Sequence, residues 1–175
     1  MTRRGDHPPG PHVNGAAAGD TASSPPGDWH RNGGAPIHIS TGGSVIGRPD
    51  DAHGYAVDLA ALVQLRQAVT RHSRQFGLAD GPLNDLVLIA NELATNVVRH
   101  GGGVGRMWLW QLDGCVYCQV TDCGPGMRDP NRAGQRPGDP NALTGRGLWL
   151  IRQMSRQMHI ETDGHGTTVT VTIAA

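Results

Sequence analysis

Glu92-Leu-Ala-Thr-Asn96-Val-Val-Arg-His100 is the stretch that decides how this chain is read. Glu92, Asn96 and His100 recur every four residues, so on a helix they stack into one polar stripe. Leu83, Leu86, Val87, Ala90, Leu93 and Val97 supply an apolar stripe at helical spacing beside it. The helix begins after Gly81-Pro82, where proline suits a first turn, and stops at Gly101-Gly102-Gly103. A carboxylate and an amide oxygen on one wall of a cleft can accept a proton and ligate a hard cation. Magnesium takes such oxygens and completes its shell with waters and phosphates. Taken alone, the stripe is equally well an ordinary polar helix face.

Upstream, Val57, Leu62, Leu65, Val69 and Phe76 predict another helix, ending near Gly77. Downstream, Arg106-Met-Trp-Leu-Trp-Gln-Leu and Cys115-Val-Tyr-Cys-Gln-Val-Thr predict two strands joined at the turn Asp113-Gly114. Residues 127 to 146 are polar, rich in Pro, Gly and Arg, and aperiodic. That length without periodicity predicts a functional lid. A third helix opens at Gly147, with Leu148, Ile151, Met154 and Met158 on its apolar side. His159-Ile-Glu-Thr, the turn Asp163-Gly164 and the alternating strand Thr167-Thr-Val-Thr-Val-Thr-Ile close the chain. This order argues for an α+β two-layer sandwich: helices on one face of a mixed, mostly antiparallel sheet.

Residues 1 to 54 contain neither Leu nor Phe and are rich in Gly and Pro, so they can bury little apolar surface. They are expected to form a mostly disordered tail, with a weak hairpin around Gly42-Gly43 or a strand that docks on the domain, and residues 55 to 175 the folded domain. Trp29, isolated in that tail, is read as incidental.

Two further segments give the polar stripe a context. Thr121-Asp122-Cys-Gly124-Pro-Gly126 places an acid at a strand end before two glycines, a fixed acceptor beside closely approachable backbone. The exocyclic amine of adenine is a fitting donor for it. Thr144-Gly145-Arg146-Gly147-Leu148 lies between the polar segment and a helix start, where free amides and the helix dipole favour anions such as triphosphate. Arg146 would be the cationic phosphate partner.

Taken in order, Glu92…Asn96…His100, Asp122-x-Gly124-x-Gly126, Gly145-x-Gly147-Leu148 and Gly166-Thr167 resemble the N, G1, G2 and G3 boxes of the GHKL (Bergerat-fold) ATPases. The wording Glu-Leu-Ala-Thr-Asn-Val-Val-Arg-His-Gly is most similar to the small anti-sigma-factor serine kinases of that superfamily. The resemblance covers roughly residues 56 to 175. It implies ATP and magnesium as ligands and a catalytic role for Glu92, which would polarise the attacking group. Asn96 would ligate magnesium. Asp122 would bind adenine, with Thr167 helping through water, while Gly124 and Gly126 let the base approach. Gly145 and Gly147 would face the phosphates. His100 matches the box and receives no catalytic role.

The implied function is an anti-sigma factor that phosphorylates Ser or Thr on an antagonist protein. Its implied partners are a sigma factor, that antagonist and a second copy of the chain. The alternative is a module that binds ATP and sequesters a partner without kinase activity. A histidine-kinase catalytic domain fits less well, because His72 lies in no recognisable phosphoacceptor box.

Composition narrows the field from the other side. All fifteen basic residues are Arg and are matched by fifteen acids. With no Lys, a Walker A loop, an ordinary protein-kinase strand lysine and Schiff-base chemistry are excluded. The balanced charge gives no footprint for nucleic acid or an anionic membrane. No apolar run spans a bilayer and no signal-peptide layout is seen, so a cytoplasmic location is expected. Cys115 and Cys118 are spaced like metal ligands. Three residues apart on a strand they point to opposite faces, and are read as structural. Trp108 and Trp110 share one strand face and are read as packing.

Overall fold

The computed structural model describes residues 1, 38–41, 44–137 and 146–175. Trp29, the turn at Gly42-Gly43, Gly145 and most of the expected tail lie outside the described residues. All the described elements belong to one compact unit, Pro36–Ala175. In chain order they are β1 (His38–Thr41), β2 (Ser44–Gly47), β3 (His53–Val57), α1 (Leu62–Gln75), α2 (Asp80–His100), β4 (Gly105–Leu112), β5 (Cys115–Asp122), α3 (Gly147–Met154), β6 (Gln157–Thr162) and β7 (Thr167–Ala174). β1 and β2 pair as the expected hairpin. The other five strands form one sheet in the order β3-β4-β5-β7-β6. Every pairing in it is antiparallel, so the sheet is not mixed.

α2 forms for the reasons its sequence announces. Asp80 lies in its first turn, at the positive end of the helix dipole. Leu86, Ile89 and Leu93 are at most 2% exposed, and such burial is worth about 1.5–3 kcal/mol per side chain. They meet Met107, Leu109, Val116, Cys118, Val120, Val169, Val171 and Ile173 from the sheet in one core. The β4–β5 turn carries positive φ at Asp113 (50°) and Gly114 (70°), as a two-residue hairpin loop requires.

Two sequence expectations fail at element edges. Val57 ends strand β3, paired with Gly105, and does not belong to the helix that begins at Leu62. Asp58 separates the two, its Oδ1 accepting the Ala61 N–H at 2.8 Å. Met158 lies in β6 opposite Val171 and does not extend α3, which stops at Met154 with Ser155 already extended. In both cases an apolar residue fits either period, and sheet pairing decides.

The sheet face away from the helices is polar-aromatic. Trp110 stacks on Tyr117 at 5.1 Å between centroids, and the Arg48 guanidinium lies 4.0 Å over the Trp108 ring. Arg48 also donates to Gln119 Oε1, and Gln119 Nε2 donates to Thr170 Oγ1, which leaves this buried amide satisfied. The tryptophans are therefore packing residues. Cys115 joins this layer while Cys118 lies in the helix-side core, where burial pushes its thiol up to about 12. The two sulfurs are on opposite faces, as their spacing requires.

Candidate functional site

The sheet and helices leave a cavity of about 370 Å³ where α2, the end of β5, the start of α3 and the start of β7 converge. Its volume falls in the range of small-molecule sites. Leu93, Val97, Val120 and Val169 give it an apolar floor, and Asn96, His100, Asp122, Arg128 and Thr167 supply polar groups around it. Residues distant in sequence meet here for simple reasons. Asn96 and His100 ride one stripe of α2, while Asp122 closes β5. Thr167 opens β7, which is paired to β5 through Thr121 and Thr168; the hydroxyls of these two also hydrogen-bond.

Asp122 is the most tightly held polar group of the site. Its Oδ1 accepts the N–H of Gly124 at 2.9 Å and of Thr167 at 3.1 Å. The described residues give no donor to Oδ2. One oxygen thus ties the loop after β5 to the start of β7, and the other remains an acceptor. The same loop is pinned a second time: Thr162 Oγ1 accepts the Met127 N–H at 2.9 Å and donates to the Gly166 carbonyl at 2.8 Å.

The glycines of the site are placed by close contacts within the chain. Gly126 lines the cavity at φ +74°, and a methyl added there would lie 2.6 Å from Thr162 Oγ1. Gly124 is not a lining residue. It is buried, and an added methyl would fall 2.8 Å from Gly101 Cα and from the His100 carbonyl. Gly147, first residue of α3, faces Glu92: an added methyl would sit 2.8 Å from Glu92 Oε2 and 3.8 Å from Asn96 Nδ2. That contact brings Glu92, half-buried on α2, to the helix start whose first amides lack intrahelical acceptors.

The structure therefore assembles Glu92, Asn96, Asp122, Gly126, Gly147, Leu148 and Thr167 at one place. Arg146 stands exposed just ahead of α3, and Gly145 lies outside the described residues. Sequence reasoning missed Met127, Arg128 and Gly134 as lining residues, and Thr162 as the support beneath them. It took residues 127 to 146 as one lid. Of these, 127–137 form turns fastened to α3, with Arg152 Nε donating to the Ala133 carbonyl at 2.8 Å. Gly134, at φ +68°, packs against the Leu148 carbonyl. No local signal marks such contacts. Beside the cavity, burial together with Asp122 and Asp163 pushes the Cys123 thiol up, so it is a poor nucleophile.

Comparison with known proteins agrees with this fold. A sequence profile described as the histidine kinase-like ATPase domain matches residues 55–173. Among solved structures, the chain is similar to the RsbU and RsbW domains of Rv1364c from Mycobacterium tuberculosis. The TM-score is 0.54 at 19% identity, covering 74% of this chain and 34% of that one. It thus spans about a third of that protein. The mycobacterial sensor histidine kinase MprB gives a TM-score of 0.47 at 17% identity, over 70% of this chain and 97% of that one. Acinetobacter baumannii histidine kinase AdeS gives 0.47 at 15%, over 70% and 67%. No curated protein matches by sequence. At these identities the structural likeness speaks for the fold alone.

Proposed function

This chain belongs to the histidine kinase-like ATPase domain family, and from that membership we propose that it binds ATP with magnesium in the α2–β5–α3 cavity and transfers the γ-phosphoryl group to a Ser or Thr hydroxyl of a partner protein. The observation that carries the reading is the state of Asp122. Its Oδ1 is fixed by two amides while Oδ2 is left as an acceptor at the edge of an apolar cavity. An adenine ring fits that floor, and its amine donates to Oδ2. Guanine presents a carbonyl there and is refused. Thr167, at the cavity edge beside Asp122, supports the base through water.

The remaining residues follow from the position of the base. Triphosphate extends toward Gly147 and Leu148, where the first amides of α3 and its dipole receive negative charge. Arg146, just ahead of α3, would be the cation in place of lysine, and Gly145, its neighbour in sequence, would face the phosphates. The Asn96 side-chain oxygen is a hard donor on the same wall and would hold magnesium, which when bound neutralises phosphate charge. Glu92 is close enough to Gly147 to reach an incoming hydroxyl. In the transfer, the hydroxyl oxygen bonds to the γ-phosphorus, the bond to the β–γ bridging oxygen breaks, and ADP leaves. The hydroxyl proton passes to Glu92. Positioning and charge stabilisation do most of the work in such a reaction.

The wording of the Glu92–Gly101 segment further supports an anti-sigma role, with an antagonist protein as substrate, a sigma factor as captive and a dimer as the working unit. The protein is expected to act in the cytoplasm; no helix of the described residues is long and apolar enough to cross a membrane. The test is phosphate incorporation from ATP into small antagonist proteins encoded in the same genome, with Glu92→Ala alongside. Wild type should phosphorylate one of them on Ser or Thr. Glu92→Ala should lose roughly 10²–10⁴ in rate while keeping its ATP affinity. ATP binding by wild type with no transfer to any antagonist would replace the kinase with a module that only sequesters its partner.

A further inference from the structure

We infer that Gly101 is a positioning residue for the nucleotide base: its missing side chain is the space in which the Asp122 carboxylate is held. Gly101 caps the C-terminus of α2 at φ −95°, ψ 23°, a backbone conformation that other residues adopt. The glycines that follow it differ. Gly102 and Gly103 have φ of +80° and +87°, where an L side chain is strained whatever surrounds it. The turn thus explains glycine at 102 and 103 and does not explain it at 101.

What explains it lies across the site. A Cβ built on Gly101 would stand 2.7 Å from each of Asp122 Cβ, Cγ and Oδ2, far inside the roughly 3.5–4.0 Å at which carbon atoms rest. Asp122 has little room to yield. Its Oδ1 holds the amides of Gly124 and Thr167, and its backbone is paired with Gly105 in β4. Its carbonyl is pressed against Gly166, where an added methyl would fall within 3 Å of that oxygen. From the far side Gly124 packs on Gly101 itself. Three glycines therefore crowd around Asp122: Gly101 against its carboxylate, Gly166 against its backbone carbonyl, and Gly124 against Gly101. A methyl at 101 must either rotate that carboxylate, at the expense of a hydrogen bond from a backbone amide and the aim of Oδ2, or push the end of α2 off the site. Both outcomes degrade recognition of the base.

The inference rests on the reading of Asp122 as the adenine acceptor, so the experiment separates the two. ATP and GTP affinities are measured by calorimetry on wild type, Gly101→Ala and Gly103→Ala, with thermal melts of each. The control strains the same turn, but its added methyl meets nothing within 4 Å. Gly101→Ala should weaken ATP roughly ten- to a hundredfold and leave GTP nearly unchanged, so the preference collapses. Gly103→Ala should melt lower yet keep the wild-type preference. A wild-type ATP:GTP ratio in Gly101→Ala overturns the inference and leaves the adenine reading standing. A wild type without preference overturns the reading, and the inference with it. Should Gly101→Ala fold poorly, it is repeated in an Asp122→Gly background, which removes all three atoms the methyl would meet, and its melt is compared with that of Asp122→Gly alone. Recovery of the melt there supports the contact, and an undiminished loss overturns it.

Discussion

Replacing Asp122 with Asn is the sharpest perturbation the site offers, because the structure dictates how the new amide must sit. Gly124 and Thr167 both donate to Oδ1, at 2.9 and 3.1 Å. An Asn flipped to put its NH₂ there would face two donors with a donor. The Asn oxygen is therefore locked onto the amides, and its NH₂ points where Oδ2 pointed. Adenine's amine then meets a donor in place of a charged acceptor. The loss is that of a charge-assisted hydrogen bond, about 1.5–3 kcal/mol, or roughly ten- to a hundredfold in ATP affinity. Guanine's carbonyl, by contrast, gains a partner, so GTP should bind the variant better than it binds wild type. Stability should hardly change, since the hydrogen bonds from both backbone amides survive. Asp122→Ala differs on this last point: it orphans two amides, at about 1–3 kcal/mol each, and should melt markedly lower. Calorimetry with ATP and GTP on both variants, paired with thermal melts, separates these effects. Unchanged ATP affinity in Asp122→Asn would refute the assignment of the base to Oδ2.

Three shorter predictions follow from other parts of the chain. Asn96→Ala should abolish most of the magnesium-dependent gain in ATP affinity with an unaltered melt; titrations with and without magnesium show whether it does. Because 127–137 are fastened to α3 through Arg152 and Ala133, ATP bound against α3 should slow tryptic cleavage after Arg128 and Arg132 (Arg136 precedes Pro137, a bond trypsin does not cut), and equal rates with saturating ATP would leave this segment out of the site. His72 lies edge-on to His53, 4.0 Å between ring centroids, with its Nδ1 buried and unpaired. Burial, then His53 and Arg71, hold its pKa below the ordinary 6.5. The folded state thus binds the proton less well than the unfolded chain, so stability is complete above 6.5 and falls as pH drops below it. Melts at about pH 8 and about pH 5.5 should show a smaller difference for His72→Phe than for wild type, and equal differences would exclude His72 as the source.

Much of this was legible in the sequence because it is written in local periods. The stripe of Glu92, Asn96 and His100, the apolar face of α2, the Asp113-Gly114 turn and the alternation of β7 each depend on residues a few positions apart. The positions that went astray belong to pairings across the sheet. Val57 and Met158 are apolar residues at element edges, and only β4 and β7 show that they are strand residues. The site divides in the same way. Asp122, Asn96 and Gly147 stand in recognisable strings. The supports of the site do not: Thr162 beneath Met127, Arg152 on Ala133 and the Asp122 carboxylate against Gly101 join residues 19 to 35 positions apart. A glycine kept for space looks, in a sequence, like one kept for a turn. Gly101 sits in a run of three and reads there like its neighbours.

Where the nucleotide binds is measured most directly by a crystal structure of the protein with magnesium and a non-hydrolysable ATP analogue. The adenine amine should lie within hydrogen-bonding distance of Asp122 Oδ2, magnesium on the Asn96 oxygen, and the terminal phosphate between Glu92 and the amides at Gly147. A nucleotide bound elsewhere, or one in this cavity with its base turned away from Asp122, would contradict it.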